Sequence, residues 1–202
     1  YEILTCDWSS DVCSSDLGRA AHAGMYPEDG RSAIAAVARA IAEMRLGRVD
    51  EETTANIGRI SGGTAANIVP EWCTLLAEAR SHDDRKLAEL VREMQDAVTF
   101  AAGVGECEAE TTIRPSYRSY RFSRDDVPVR LAADALVRCG FEPTFTLSGG
   151  AADANAFNEK GLRCLNLANG MAEIHTPDEH IAVADLEAMV DVTLALLYAA
   201  AA

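Results

Sequence analysis

Two loops near the end of this sequence carry the residue types that could do chemistry. Gly149 and Gly150 open a glycine loop, Asp153 follows them, and His175 lies in a second loop after a short apolar segment. Glycines allow backbone amides to approach a ligand closely, and a loop histidine after a strand is a suitable metal ligand. The stretch therefore predicts one wall of a substrate and metal site, with Asp153 as a buried acid.

Three residues far upstream could act with these loops. His22 lies among small residues in a glycine-bounded segment, and Asn67 precedes a predicted strand. Arg80 ends that strand, and its planar guanidinium would suit a carboxylate. Each has an ordinary structural alternative as well: a surface or core histidine, a turn asparagine and a solvated arginine. His180 is interpreted as a surface residue, because its spacing from His175 is not that of a helical zinc motif.

The charge composition argues against proteins that bind nucleic acids or anionic membranes. The 202 residues include 18 basic and 32 acidic ones, which gives a net charge of −14. Nucleic acids and anionic membranes require a basic surface, so neither is an expected partner. The six cysteines form no Cys-x-x-Cys pair, and we find no apolar run of membrane-spanning length and no signal peptide. These features favour reduced thiols and a cytoplasmic location.

Residues 1–17 stand apart from the rest of the chain. They repeat a Ser-Ser-Asp unit and show neither helical nor strand periodicity. We interpret them as a foreign segment, such as translated adapter sequence, with a native terminal strand and loop as the alternative.

The remainder predicts two domains that meet near residues 113–117. Residues 18–114 have the order helix, strand, strand, helix, strand, which is typical of a ferredoxin-like α+β fold. That fold needs one more strand before the first helix, within or just before residues 1–17. Residues 115–202 alternate strands with helices and predict an α/β layer. The predicted strands cover 53–60, 68–79, 106–113, 144–147 and 164–167, and the last helix is expected to be capped by Asp185.

Three sequence blocks carry a resemblance over residues 18–202. They are Gly18-Arg-Ala-Ala-His-Ala-Gly24, then Gly62-Gly63 through Asn67-Ile-Val-Pro70 with Glu78-Ala-Arg-Ser81, and Gly149-Gly-Ala-Ala-Asp-Ala-Asn155 with His175-Thr176 and Glu179. In this order they resemble the dinuclear-zinc exopeptidase and deacylase family of peptidase T, acetylornithine deacetylase and succinyl-diaminopimelate desuccinylase. The amino-acid sequences of residues 53–58 and 153–158 are most similar to those of peptidase T-like members.

The resemblance implies a fold, a reaction and residue roles. It implies a ferredoxin-like lid, or dimerisation, domain over 18–114, followed by the C-terminal part of an α/β catalytic domain over 115–202. Two zinc ions, or cobalt or manganese, would activate a water that attacks the bond of a short peptide. His22 would reach across a homodimer and stabilise the oxyanion, while Asn67, Arg80, Gly149 and Gly150 would bind substrate. His175 would be a metal ligand, and Asp153 would brace the glycine loop.

The resemblance also implies that most of the family's metal ligands are missing from this sequence. A His-x-Asp motif, a Glu-Glu pair and further acidic ligands precede the lid in that family, whereas only residues 1–17 precede it here. One histidine cannot hold two metal ions, so we expect this chain to be an inactive fragment of an aminopeptidase. Two alternatives stay open: an N-acyl amino acid deacylase of the same fold, and a non-catalytic dimerisation module.

Overall fold

The computed structural model describes residues 2–6 and 8–201, with the backbone alone at 2–6, 8–11, 13–16 and 116–117. Residues 8–117 form one compact unit, and residues 2–6 with 118–201 form another. The strands are β1 (Glu2–Cys6), β2 (Trp8–Leu17), β3 (Gly47–Arg48), β4 (Thr53–Gly62), β5 (Trp72–Ser81), β6 (Glu108–Tyr117), β7 (Thr144–Ser148) and β8 (Asn166–Leu167). The helices are α1 (Ala33–Glu43), α2 (Asp84–Val104), α3 (Val127–Arg138), α4 (Asp153–Glu159) and α5 (Val183–Ala201).

The unit of residues 8–117 contains an antiparallel sheet in the order β3-β4-β5-β2-β6. Without the two-residue β3, the four strands in chain order are β2, β4, β5 and β6. The first of them, β2, lies between the third, β5, and the fourth, β6, which is the predicted ferredoxin-like arrangement. The mixed α/β class predicted from the sequence is thereby confirmed. The strand that this fold needs before α1 is β2.

Residues 1–17 contain two strands, although their sequence shows no strand periodicity. β2 pairs with β5 from Trp8 to Leu17 and with β6 from Ser9 to Leu17, and β1 pairs with β7. Serine and aspartate have low strand propensity, so pairing on both sides rather than local pattern makes β2 a strand. The foreign origin of the segment stays a prediction.

The core of this unit lies between the sheet and two helices. Alternate residues of β5, including Cys73, Leu75 and Ala77, are buried against the helices, as the two-residue period of a strand requires. Leu90 and Met94 of α2 are each 1% exposed and pack on the same face. Side chains cap both helices: Ser32 accepts from the Ala35 amide, and Asp83 accepts from the amides of Arg85 and Lys86.

In the second unit, β1 lies between β7, to which it is parallel, and β8, to which it is antiparallel. Val129, Ala132 and Leu136 of α3 form a small core with Val192 of α5. No helix within the described residues combines the length and apolar character that crossing a membrane requires.

Several element boundaries differ from those predicted. β5 begins at Trp72 rather than at 68, because Pro70 has no amide hydrogen for the ladder. β6 begins at Glu108 rather than at 106, because Glu106 has a left-handed backbone with φ 51° that ends the preceding helix. β8 covers only Asn166–Leu167, and α5 begins at Val183, before the expected cap.

Candidate functional site

His22 and Asn67 are brought together in the unit of residues 8–117. His22 faces Ile68 in an isolated antiparallel bridge. The Ala23 amide donates a 3.0 Å hydrogen bond to the carbonyl oxygen of Asn67. Both predicted site residues are exposed, so their side chains are accessible within this unit.

A tight turn presents His22. The amides of Met25 and Tyr26 donate to the His22 carbonyl at 3.2 and 3.0 Å. The Gly24 amide donates to the ring atom Nδ1 of His22 at 3.2 Å. Both the backbone and the imidazole of His22 are therefore held by neighbouring peptide groups.

Arg80 lies near the end of β5, on the face of the sheet opposite the buried Leu75 and Ala77. Its guanidinium pairs with Glu78, with Nε and one terminal nitrogen 2.8 and 2.6 Å from the same carboxylate oxygen. The Arg80 side chain is 30% exposed. A ligand carboxylate would therefore have to compete with Glu78 for the Arg80 guanidinium.

The glycine loop lies in the other unit, directly after β7. Gly150 donates its amide to the Ser148 hydroxyl oxygen at 3.1 Å. Gly149 precedes it, and α4 begins shortly afterwards at Asp153. The loop thus connects the end of a strand to the start of a short helix, as the sequence predicts.

His175 lies in a compact loop of the same unit. The loop is closed by an antiparallel bridge between Ala172 and His180. His175 has φ 68°, a left-handed backbone conformation that is uncommon for a residue other than glycine. Its amide donates to a Glu179 carboxylate oxygen at 2.8 Å. Glu179 therefore fixes the backbone that presents the exposed imidazole.

Similarity to known proteins identifies the family. Residues 16–106 match the family model described as the peptidase dimerisation domain, M20. The uncharacterized protein YqjE of Bacillus subtilis is 38% identical over 199 residues, which cover 98% of this chain and 54% of that protein. The chain belongs to the M20 peptidase family.

Solved structures extend this assignment to both units of the M20 chain. It is 38% identical to the aminopeptidase PepT of Bacillus cereus, with a TM-score of 0.84, covering 100% of this chain and 54% of that one. It is 33% identical to a tripeptidase of Staphylococcus aureus, with a TM-score of 0.88, covering 96% and 52%. These neighbours make the chain a peptidase T-like member of the family.

A deacylase is also among the relatives of this M20 chain. A succinyl-diaminopimelate desuccinylase of Xanthomonas campestris is 28% identical over 174 residues, which cover 81% of this chain and 44% of the enzyme. The chain spans about half the length of the relatives that it matches.

The described residues of this M20 chain do not fit a two-metal centre by themselves. Among the residues whose side chains the structure describes, no three His, Cys, Asp or Glu residues are grouped so that they could hold a metal ion. A catalytic zinc ion in a protein usually has three protein ligands. His175 could supply one nitrogen at most, and the remaining ligands would have to come from other residues.

The expectation that Asp153 is a buried acid is wrong. Asp153 is exposed in the first turn of α4, where a carboxylate can remain in water near the helix N-terminus. The buried polar residue is Asn155, which is 1% exposed. Asn155 holds the end of the glycine loop, because its Oδ1 accepts from the Ala152 amide at 3.1 Å. The bracing role of Asp153 stays a prediction.

The sequence analysis did not identify two residues that hold neighbouring groups in place, Asn158 and Glu78. Asn158 donates to the Ala154 carbonyl at 2.7 Å and accepts from the Cys164 amide at 3.2 Å, which joins α4 to the segment before β8. Glu78, the partner of Arg80, was missed too. Their residue types gave a weak signal, since asparagine and glutamate are common on surfaces.

Proposed function

We propose that this chain is part of a metal-dependent exopeptidase that removes residues from short peptides, with an aminopeptidase or tripeptidase specificity. The observation that carries this proposal is the similarity to a solved aminopeptidase and a solved tripeptidase over nearly the whole chain. Both are at least 33% identical to it, so the likeness extends beyond the fold.

The proposed roles of the lid residues come from the family resemblance, and the chemistry of each side chain suits its role. His22 donates a hydrogen bond to the oxyanion that forms at the scissile carbonyl, in the site of a partner subunit. Asn67 binds substrate through its exposed side-chain amide. Arg80 binds the substrate carboxylate, for which a guanidinium offers paired donors.

The second unit supplies the remaining proposed contacts. Gly149 and Gly150 line the substrate, where the absence of side chains permits close approach. His175 binds one of two divalent ions, zinc by preference, with cobalt or manganese as alternatives. This role of His175 is supported by its exposed imidazole, which lies on a loop that Glu179 holds in place.

We further propose that the 202 residues alone are inactive, because the described part has no three-ligand group for a metal. Metal analysis of the purified chain after equilibration with zinc and dialysis tests this directly. We expect less than one retained zinc ion per chain. Two tightly bound zinc ions would overturn the proposal of inactivity.

A hybrid enzyme tests the activity itself. Joining this chain to the portion of the Bacillus cereus aminopeptidase that it does not match would produce a polypeptide of the length of that relative. We expect the zinc-loaded hybrid to cleave tripeptides and the 202-residue chain not to do so. A folded, metal-loaded hybrid that leaves tripeptides intact would contradict the peptidase proposal.

The alternative activity is the removal of an acyl group from an N-acyl amino acid. It is favoured by the similarity to a desuccinylase. The same hybrid separates the two activities, since cleavage of N-succinyl or N-acetyl amino acids without tripeptide cleavage would support the deacylase. In the hybrid, the present chain would influence substrate preference through Asn67, Arg80 and the glycine loop.

We also propose that the unit of residues 8–117 forms a homodimer through the edge of its sheet. The support is the match to a peptidase dimerisation domain and the position of β6 at that edge. Light scattering coupled to size-exclusion chromatography should give twice the chain mass. A dimer that binds no metal and cleaves no substrate would favour the third candidate, a non-catalytic dimerisation module.

A cytoplasmic location completes the proposal. Two cysteines whose side chains are described, Cys139 and Cys164, are free thiols, as expected in a reducing compartment. Cell fractionation of the source organism with an antibody against the chain would test the location.

A further inference from the structure

We infer that the backbone amide of Gly24 fixes His22 in the tautomer that carries its proton on Nε2, so that the imidazole presents a hydrogen-bond donor to its ligand. Gly24 is thus a positioning residue for His22. The catalytic consequence of this inference rests on the proposed function, whereas the tautomer itself does not.

The assignment follows from the direction of one hydrogen bond. The Gly24 nitrogen lies 3.2 Å from Nδ1 of His22, with its hydrogen directed at that atom. A backbone amide can only donate, so Nδ1 must supply a lone pair and cannot carry a proton. A neutral imidazole has one N–H, which must then be on Nε2.

The backbone around His22 keeps this arrangement fixed. The Ala23 amide donates to the Asn67 carbonyl at 3.0 Å, and the Val69 amide donates to the Ala21 carbonyl at 2.9 Å. The carbonyl of His22 itself accepts from two amides later in the turn. The backbone that carries the ring is therefore held by several hydrogen bonds, and the Gly24 amide holds the ring itself. Such a pre-organised donor loses little freedom when it binds an acceptor.

The tautomer decides what His22 can bind. With Nδ1 occupied by Gly24 and Nε2 protonated, neither ring nitrogen offers a lone pair to a metal ion or to a substrate proton. An oxygen acceptor, such as a carbonyl or an oxyanion, is the matching ligand. The geometry therefore excludes His22 as a metal ligand and as a general base in this state.

His180 provides an internal contrast. Its Nδ1 lies 2.8 Å from the carbonyl oxygen of Asp178. A carbonyl can only accept, so this ring must carry its proton on Nδ1 and leave the lone pair on Nε2. The two exposed histidines should thus show opposite tautomers under the same conditions.

Long-range ¹H–¹⁵N NMR of the uniformly labelled 202-residue chain, at a pH where the imidazoles are neutral, measures both tautomers. We expect the Nδ1–H form of His22 to be about fivefold rarer in the folded chain than in the same chain unfolded in urea, as one net hydrogen bond would produce. A proportion equal to that of the unfolded chain, or a majority of Nδ1–H, would overturn the inference.

Two substitutions of Gly24 sharpen the test. Gly24→Pro removes the amide hydrogen, and we expect the His22 tautomers to return toward the unfolded ratio. Gly24→Ala keeps it, and the added Cβ would lie 3.7 Å from the nearest ring atom, an ordinary contact, so the wild-type ratio should persist. If Gly24→Pro does not fold, the comparison of folded and unfolded wild type still decides. Loss of activity on replacing His22 in the hybrid tests the proposed function separately.

Discussion

The Nδ2 atom of Asn155 donates a 2.9 Å hydrogen bond to the carbonyl oxygen of Arg118. Oδ1 of the same buried side chain accepts from the Ala152 amide. The side-chain amide of Asn155 therefore joins Arg118, in the segment that follows β6, to Ala152, at the end of the glycine loop.

Replacement of Asn155 by alanine should destabilise the chain by about 1–3 kcal/mol, because it removes two hydrogen bonds made by a buried side chain. Urea denaturation followed by circular dichroism measures the loss. Asn56→Ala, at an exposed position of β4, is the matched control and should change stability by less than about 0.5 kcal/mol. Equal losses in the two variants would contradict the role assigned to Asn155.

Two glycine substitutions should have opposite effects on stability. A Cβ on Gly18 would lie 2.0 Å from the carbonyl oxygen of Arg31, whereas one on Gly103 in α2 would meet nothing within 4 Å. Gly18→Ala should therefore cost about 3 kcal/mol or more. Gly103→Ala should stabilise the helix by about 0.5–1 kcal/mol. Thermal and urea unfolding of both variants test these signs, and a tolerated Gly18→Ala would show that the contact with Arg31 is wrong.

Acid should remove a stabilising contribution from Asp50. The Glu52 amide donates to the Asp50 carboxylate at 2.9 Å, and Lys86 lies 3.2 Å away. The amide hydrogen bond, supported by Thr53 and Lys86, lowers the pKa of Asp50 to about 2 from its usual 3.8.

Because the folded pKa is below the unfolded one, this contribution is fully present above about pH 4 and is lost as the pH falls through about 2. Asp50→Asn should therefore reduce the slope of unfolding free energy against pH between 2 and 4. Asp125→Asn, at an exposed position, is the control. A wild-type slope in Asp50→Asn would contradict the contribution.

Arg80→Lys should weaken substrate binding in the hybrid enzyme. A lysine ammonium cannot replace the paired donors of a guanidinium. We expect KM for tripeptides with a free carboxylate to rise about tenfold with a smaller change in kcat, and amidated peptides to respond less. Arg45→Lys, in the exposed pair with Glu93, is the control. An equal rise for amidated and free peptides would argue against carboxylate binding.

Much of the fold could be predicted from local sequence. The alternation of buried Cys73, Leu75 and Ala77, and the caps Ser32 and Asp83, depend on residues close together in the chain. These features determine whether a segment is a strand or a helix, so the predicted ferredoxin-like order was confirmed. The proposed roles of His22, Asn67, Arg80 and His175 rest on motif order, and they stay predictions until the enzyme is assayed.

Other features were decided only by the tertiary structure. β2 has a poor strand pattern, and it becomes a strand because β5 and β6, which come much later in the chain, pair with it on both sides. Asn155, not Asp153, is buried, because the direction of α4 turns one side chain inward and leaves the other in water. The sequence by itself determined which residue types could form a site. The folded backbone decided their partners, because hydrogen bonds depend on direction and distance, which a linear pattern does not specify.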